Sequence, residues 1–286
     1  MGMSKASSLR AQWLGERLKK ARLAAGFTLQ DAAEYLQLHE GTMSRFETAT
    51  YAVRRSYVRD LIDFYRVSDQ RDRDALIQLC EDAWRKDWWD GQAADVEREF
   101  IDYTWLEARA ARICVFEPTL VHGLLQTEHY TRALMVEANG HEMTEEQLDK
   151  HVEFRMLRKR VLNADNPTRL ALIVEESVLR RPVGGWTVLK EKLRYLLKQA
   201  QLEHIEVRVL PTEKGWRPGM SEMFTYFEMP EPYSDVAFVE NLAGRTYLEQ
   251  EDKVAKFHRA YAGLQEVALS PAASSKLIRA TIKELD

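Results

Sequence analysis

The side chains able to make or break bonds are scattered along these 286 residues rather than gathered. Of seven histidines, His122 and His129 stand seven apart, which would place them on one helix face if a helix ran through Gly123. Two imidazoles leave a metal short of ligands, and neither an HExxH run nor a paired-cysteine spacing occurs. Glu175 and Glu176 are of a type that does acid–base work. Adjacent side chains seldom point together, however, so a surface pair is expected. Gly184-Gly185 and Gly215 with Gly219 lack the spacing of phosphate-cradling loops and read as turns. Ser177 and Ser221 have no nucleophile-elbow context. The expectation is a protein that is not an enzyme and carries no catalytic set, no metal and no cofactor.

Composition narrows the class. The chain is 45% hydrophobic and 30% charged, ordinary for a globular protein. Its length allows about two domains, each able to bury a core. The longest apolar run is Leu170 to Val174, far short of the roughly 18 residues a membrane span needs, so no membrane partner is expected. Cys80 and Cys114 supply neither a disulfide framework nor a four-cysteine zinc site, and the absence of an apolar leader fits a cytoplasmic protein. Residues 1–59 hold ten Lys/Arg against five Asp/Glu, a net +5 on a chain of net −4. The rest is therefore −9, and only the head suits a polyanion.

The elements that position this basic head can be read from periodicity. Leu14, Leu18, Ala21 and Ala25 make one apolar stripe of a helix, and Gly26 stops it. Thr28 followed by Asp31 resembles a capping box opening a second helix, with Leu29, Ala32, Ala33 and Leu36 inward. After Gln37-Leu38-His39 a third short helix is expected over 40–47, with Met43 and Phe46 inward. Val58, Leu61, Ile62 and Tyr65 mark a fourth, and 71–85 a fifth. Two short helices joined by a tight turn, the second carrying exposed polar residues, make a helix-turn-helix unit that places its second helix in the major groove. Ala33 is small enough to let the two helices approach at their crossing.

Residues 86–94, with Trp88 and Trp89, read as a junction, which gives a helical domain over 1–86 and a second over 95–286. Helix is expected over 95–112, 128–138, 144–162, 187–202, 249–264 and 270–285. Extended chain is expected over 112–116, 169–174, 205–210, 223–228, 236–240 and 244–248. The class is α+β: an all-α helix-turn-helix domain followed by a mixed α+β domain. The aromatic-rich segment 216–233 reads as core, with a small-molecule receptor as the alternative.

Leu14-Gly15-Glu16-Arg17-Leu18-Lys19-Lys20-Ala21-Arg22, Gly26-Phe27-Thr28, Ala33-Glu34 and Met43-Ser44-Arg45-Phe46-Glu47 resemble the Cro/C1-type (XRE-like) DNA-binding domain of phage repressors and bacterial regulators, over about 12–68. Phe100-Ile101-Asp102, Leu106-Glu107-Ala108, Phe116-Glu117-Pro118, Gly123-Leu124-Leu125-Gln126-Thr127 with Tyr130, and 179–185 resemble the C-terminal domain of actinomycete antitoxin-like regulators. So do Val209-Leu210-Pro211 and Phe238-Val239-Glu240. The resemblance implies a sequence-specific, DNA-binding transcription regulator, by default a homodimer on double-stranded DNA. Its C-terminal domain would act through a small partner protein encoded nearby, through dimerisation or through an effector. An antitoxin-like, partner-binding protein with secondary DNA contact is the alternative.

Carried over, the pattern assigns base edges to Glu40, Gly41, Thr42 and Arg45, the last suited to a bidentate pair with guanine. Thr28 and Gln30 at the second helix, His39 at the cap and Ser44 on the third helix complete the expected DNA-facing set. Arg54 and Arg55 are expected to clamp phosphate. Arg22 and Glu47 match an internal ion pair. The family usually has glycine at the turn position held here by Gln37, and a base-contacting glutamine where Leu29 stands.

Overall fold

The structure, a computed structural model, describes residues 8–85, 87–89, 98–139 and 143–285. The chain divides into two compact units, Met1–Gly91 with Glu231–Tyr233, and Gln92–Pro230 with Ser234–Asp286. Of the expected junction, Lys86 and residues 90–94 lie outside the described residues.

The first unit is helical: α1 (Leu9–Ala24), α2 (Leu29–Tyr35), α3 (Glu40–Glu47), α4 (Arg55–Phe64) and α5 (Gln70–Trp84). Leu14, Leu18, Ala32, Met43, Val58, Leu61 and Leu79 are all at most 1% exposed and make its core. Full burial of each large apolar side chain is worth about 1.5–3 kcal/mol. Four successive helices close on a backbone bond that spans five residues after α1, α2 and α4 and six after α3. Phe27 N–H reaches Arg22 O, Leu38 reaches Ala33, Tyr51 reaches Arg45 and Val67 reaches Ile62, at 2.8–3.1 Å. Each reversal needs a left-handed residue. Gly26 supplies one without strain, but the others are Gln37 (φ 57°), Ala49 (φ 55°) and Arg66 (φ 53°).

The second unit is mixed. Helix α6 (Arg98–Arg109) leads into β1 (Arg112–Glu117). Then come α7 (Glu128–Asn139), α8 (Glu145–Arg158), β2 (Arg169–Glu175), α9 (Trp186–Gln199), β3 (Ile205–Leu210), β4 (Phe224–Glu228), β5 (Val236–Asn241), β6 (Gly244–Leu248), α10 (Glu251–Val267) and α11 (Pro271–Glu284). Six strands form one sheet in the order β3-β2-β1-β4-β5-β6. The first three are parallel and the last three antiparallel. The α+β expectation therefore describes the fold, with helices on both faces of the sheet. Alternation decides which face each residue takes. Cys114, Phe116, Ala171, Ile173, Phe224 and Tyr226 pack on Val254, Tyr261 and Leu264 of α10. On the opposite face, Tyr103 of α6 meets Phe227 and Phe238 edge-on, at 5.3 and 4.6 Å between ring centroids. The β3 edge is covered: Val209 N–H donates to Ser274 Oγ, and Leu269 N–H to Val209 O, both at 2.9 Å.

The expected helix over 144–162 stops at Arg158 and tightens into a single 3₁₀ turn at Lys159–Leu162. No helix runs through Gly123 into His129: Gly123–Leu125 is a 3₁₀ turn, and α7 starts only at Glu128. His122 and His129 consequently share no face. Ring packing also splits the 216–233 segment. Phe224, Tyr226 and Phe227 are core, whereas Trp216 is 69% exposed. Gly184, Gly185, Gly215 and Gly219 all have positive φ, as turns require.

Candidate nucleic-acid interface

Helix α2 begins on a reciprocal cap. Thr28 Oγ1 accepts from Asp31 N–H at 3.1 Å, and Asp31 Oδ2 accepts from both Thr28 N–H and Thr28 Oγ1 at 2.7 Å. These bonds hold the Asp31 carboxyl below its usual range. The Thr28 hydroxyl is thereby committed to the helix start, with a carboxylate beside it. Gln30, the second residue of α2, donates to Glu34 at 2.9 Å and stays exposed.

The turn brings α3 across α2 at Ala33, 2% exposed. His39 caps α3 through its backbone alone; its imidazole makes no cap bond. Met43 and Phe46 point inward, at 0% and 5% exposure. With 100° between residues, Gly41, Arg45 and Thr48 then point straight out, flanked by Glu40, Thr42 and Ser44. His39, Glu40, Gly41 and Arg45 are exposed, and Thr42 and Ser44 half-buried. A Cβ on Gly41 would meet nothing within 4 Å, so another surface can approach the backbone there.

Two features hold α3 against α1. Arg22 and Glu47 form a buried bidentate pair at 2.6 and 2.9 Å, and Arg22 Nη1 also donates to Phe27 O at 2.8 Å. The hydrogen bond that Arg22 donates to Glu47 raises the Arg22 pKa. Gly15 lets the helices touch: a Cβ there would lie 2.6 Å from Glu47 O and 2.7 Å from Phe46 O. The pair is internal, as the resemblance implied.

Arg45 does not hang free. Its guanidinium carbon lies 5.1 Å from the ring centroid of Tyr51, a distance at which the cation is attracted to the ring face. The left-handed turn at Ala49 makes this contact by bringing Tyr51 N–H to Arg45 O. Sequence reasoning passed over Tyr51; the only sign of it was a tyrosine six residues after an outward arginine. Thr48 was missed as well. Its hydroxyl donates to Ser44 O at 2.9 Å and sits 3.1 Å from Thr50 Oγ1.

Arg54 and Arg55 lie at the start of α4. The preceding carbonyl, Val53 O, accepts from Trp84 Nε1 at 2.6 Å, which anchors the segment. Arg54 is exposed and its side chain pairs with no described residue. Arg55 faces Glu81 at 2.9 Å with about half of each side chain exposed. Such a pair is worth under about 1 kcal/mol, so it yields readily to a phosphate.

Of the catalytic candidates set aside, His122 and His129 stay apart, whereas Glu175 and Glu176, expected to point away from each other, both reach Thr212. His129 is exposed beside Glu191 at 2.8 Å. Glu175 accepts from Ser177 N–H and Thr212 Oγ1, and Glu176 accepts from Thr212 N–H, so both are structural caps. Among the described residues no group of three His, Cys, Asp or Glu could hold a metal ion, and no helix is long and apolar enough to cross a membrane.

A family model described as a helix-turn-helix domain matches residues 13–76, which suggests DNA binding. No curated protein and no solved structure matches the chain. A second model matches residues 100–280, well over half the chain and nearly all of the mixed sheet with its helices, and on that match the chain belongs to the family described as Domain of unknown function (DUF5753).

Proposed function

We propose that this protein is a sequence-specific, DNA-binding transcription regulator of the cytoplasm. In this reading α3 enters the major groove, Arg45 reads a guanine, and Arg54 and Arg55 hold phosphates. Thr28, Gln30, His39, Glu40, Gly41, Thr42 and Ser44 line the contact. The observation that supports it best is the outward row Gly41, Arg45 and Thr48 on a helix locked to its scaffold by Gly15 and by the Arg22–Glu47 pair. A rigid helix, a backbone open to approach and one forked donor are what base-edge recognition asks for.

One strong donor makes a weak reader, and the two-fold symmetry usual for such operators supplies a second. A homodimer is thus part of the proposal. The family domain would regulate through a partner protein, through association or through an effector, without catalysis. Selection of duplexes from a random library by the full chain tests the reading. A shared motif containing guanine should be enriched, and Arg45→Ala should blur that position. Uniform recovery of all sequences would defeat the proposal.

A further inference from the structure

We propose that the DUF5753 unit binds a small amino-acid-like molecule at the carboxyl end of β1, with Arg155 taking the ligand's carboxylate and Glu117 its amine. In sheets with parallel strands, crevices open at the carboxyl ends where the strand order reverses. Here the chain builds outward from β1 to β2 and β3, then returns to the other side of β1 as β4. At that end β4 starts only at Phe224, opposite Phe116 and Val239. Glu117 and Glu240 therefore extend one residue beyond it.

Register puts Glu117, Thr225, Phe238, Glu240, Arg245 and Tyr247 on one face of the sheet. Above them lie Phe100 and Tyr103 of α6 and Arg155 and Arg158 of α8. Three guanidiniums surround the Phe100 ring, with carbon-to-centroid distances of 4.4 Å for Arg158, 5.5 Å for Arg245 and 5.7 Å for Arg155. Two of the three have carboxylate partners. Arg158 holds Glu107 in a buried bidentate pair at 2.6 and 2.8 Å, and Arg245 holds Glu240 at 2.7 Å. Arg155 has the ring alone and no carboxylate among the described residues within ion-pair distance.

Glu117 is the mirror case. It is 6% exposed, yet its carboxyl makes no hydrogen bond or ion pair with any described side chain. Burial and the nearby Glu240 push its carboxyl up to about 8. A buried carboxyl without a partner is costly and calls for an explanation. On the same side of the sheet, His122, 3% exposed, meets Tyr103 OH through Nε2 at 2.9 Å, lies 4.0 Å from Glu107 and leaves Nδ1 unpartnered. Glu117 and His122 are thus buried, whereas Phe100, Arg155, Arg245 and Tyr247 are half-buried.

The two groups do not satisfy each other, although Glu240 acts on both. A ligand bearing an anion and an ammonium satisfies each in turn, and its apolar body meets Phe100, Tyr103 and Phe238. Such a site needs few precisely placed polar groups in an aromatic surround. It would give the regulator an input, but binding itself can be measured without DNA.

The experiment uses the full chain in thermal unfolding and calorimetry. The probes are the twenty amino acids, each paired with its decarboxylated amine and its deaminated acid. At saturation at least one apolar or aromatic amino acid should raise the unfolding temperature by about 5 °C, with neither analogue matching it. Glu117→Gln and Arg155→Gln should each weaken that binding by about tenfold or more while leaving the ligand-free unfolding temperature undiminished. If Arg155→Gln fails to fold, Glu117→Gln alone decides. No shift with any probe overturns the proposal. So does a shift that survives both variants, and so does equal binding of the deaminated acid, which would leave a plain anion site.

Discussion

Arg22 and Glu47 are the residues on which the position of α3 depends most. Their side chains are 7% and 5% exposed, so losing one leaves the other's charge buried and unpaired. Arg22→Ala is expected to cost about 3–5 kcal/mol in urea unfolding, and DNA binding should fail along with folding. Glu117 makes a prediction of the opposite kind. Its folded pKa of about 8 exceeds the unfolded value near 4.3. Between these values the folded state holds the extra proton, so this group's contribution to stability is full below the unfolded pKa and is lost as pH rises toward 8. The loss is at most about 1.4 kcal/mol per pH unit. Glu117→Gln removes it, so the variant's advantage in unfolding free energy should grow steadily from pH 5 to pH 8. The comparison with wild type cancels other titrating groups, including Lys192, whose buried amine is held down to about 7. A constant difference across that range would contradict the assignment.

Gly15 sets the approach of α1 to α3, and Gln37 sets the turn between α2 and α3. Gly15→Ala forces a methyl to 2.6 Å from a carbonyl oxygen and should destabilise by roughly 1–3 kcal/mol, as overpacking does. Gln37 occupies the left-handed region that costs a side-chain-bearing residue roughly 1–2 kcal/mol. Gln37→Gly relieves that strain but frees the unfolded chain, which returns about 0.4–1 kcal/mol. A small net gain in thermal stability is therefore expected, with no change in the exposed residues of α3. The sequence already carried these elements: apolar stripes set the helices, the Thr28–Asp31 box was readable, and the strand run at 169–174 and the alternation at 205–210 became β2 and β3. What it hid were contacts made by the turns. Tyr51 meets Arg45 because Ala49 adopts a left-handed conformation that its residue type disfavours. Glu117 meets Arg155's surroundings through strand order, which periodicity along one strand does not encode. The 3₁₀ turn after Arg158 likewise reflects a short-range change of hydrogen bonding within an unbroken helical pattern.

For the whole molecule, one reading arm of the kind described carries too few base contacts for tight binding, so two copies should occupy a two-fold site. Half-sites should then lie one helical turn of DNA apart, about 34–36 Å, or a multiple of it. Inserting five base pairs between them should abolish joint binding, as read by the mass of the complex in sedimentation. The central claim is that α3 reads bases while the start of α4 grips the backbone, and a salt series on wild type, Arg45→Ala and Arg54→Ala tests it most directly. Affinities are measured on the selected site and on a scrambled duplex. Arg45→Ala should cost roughly 1–3 kcal/mol on the selected site and shrink its advantage over the scrambled one. Arg54→Ala should weaken both duplexes alike and lower the salt slope by about one. An unchanged ratio of selected to scrambled binding in Arg45→Ala would contradict the account.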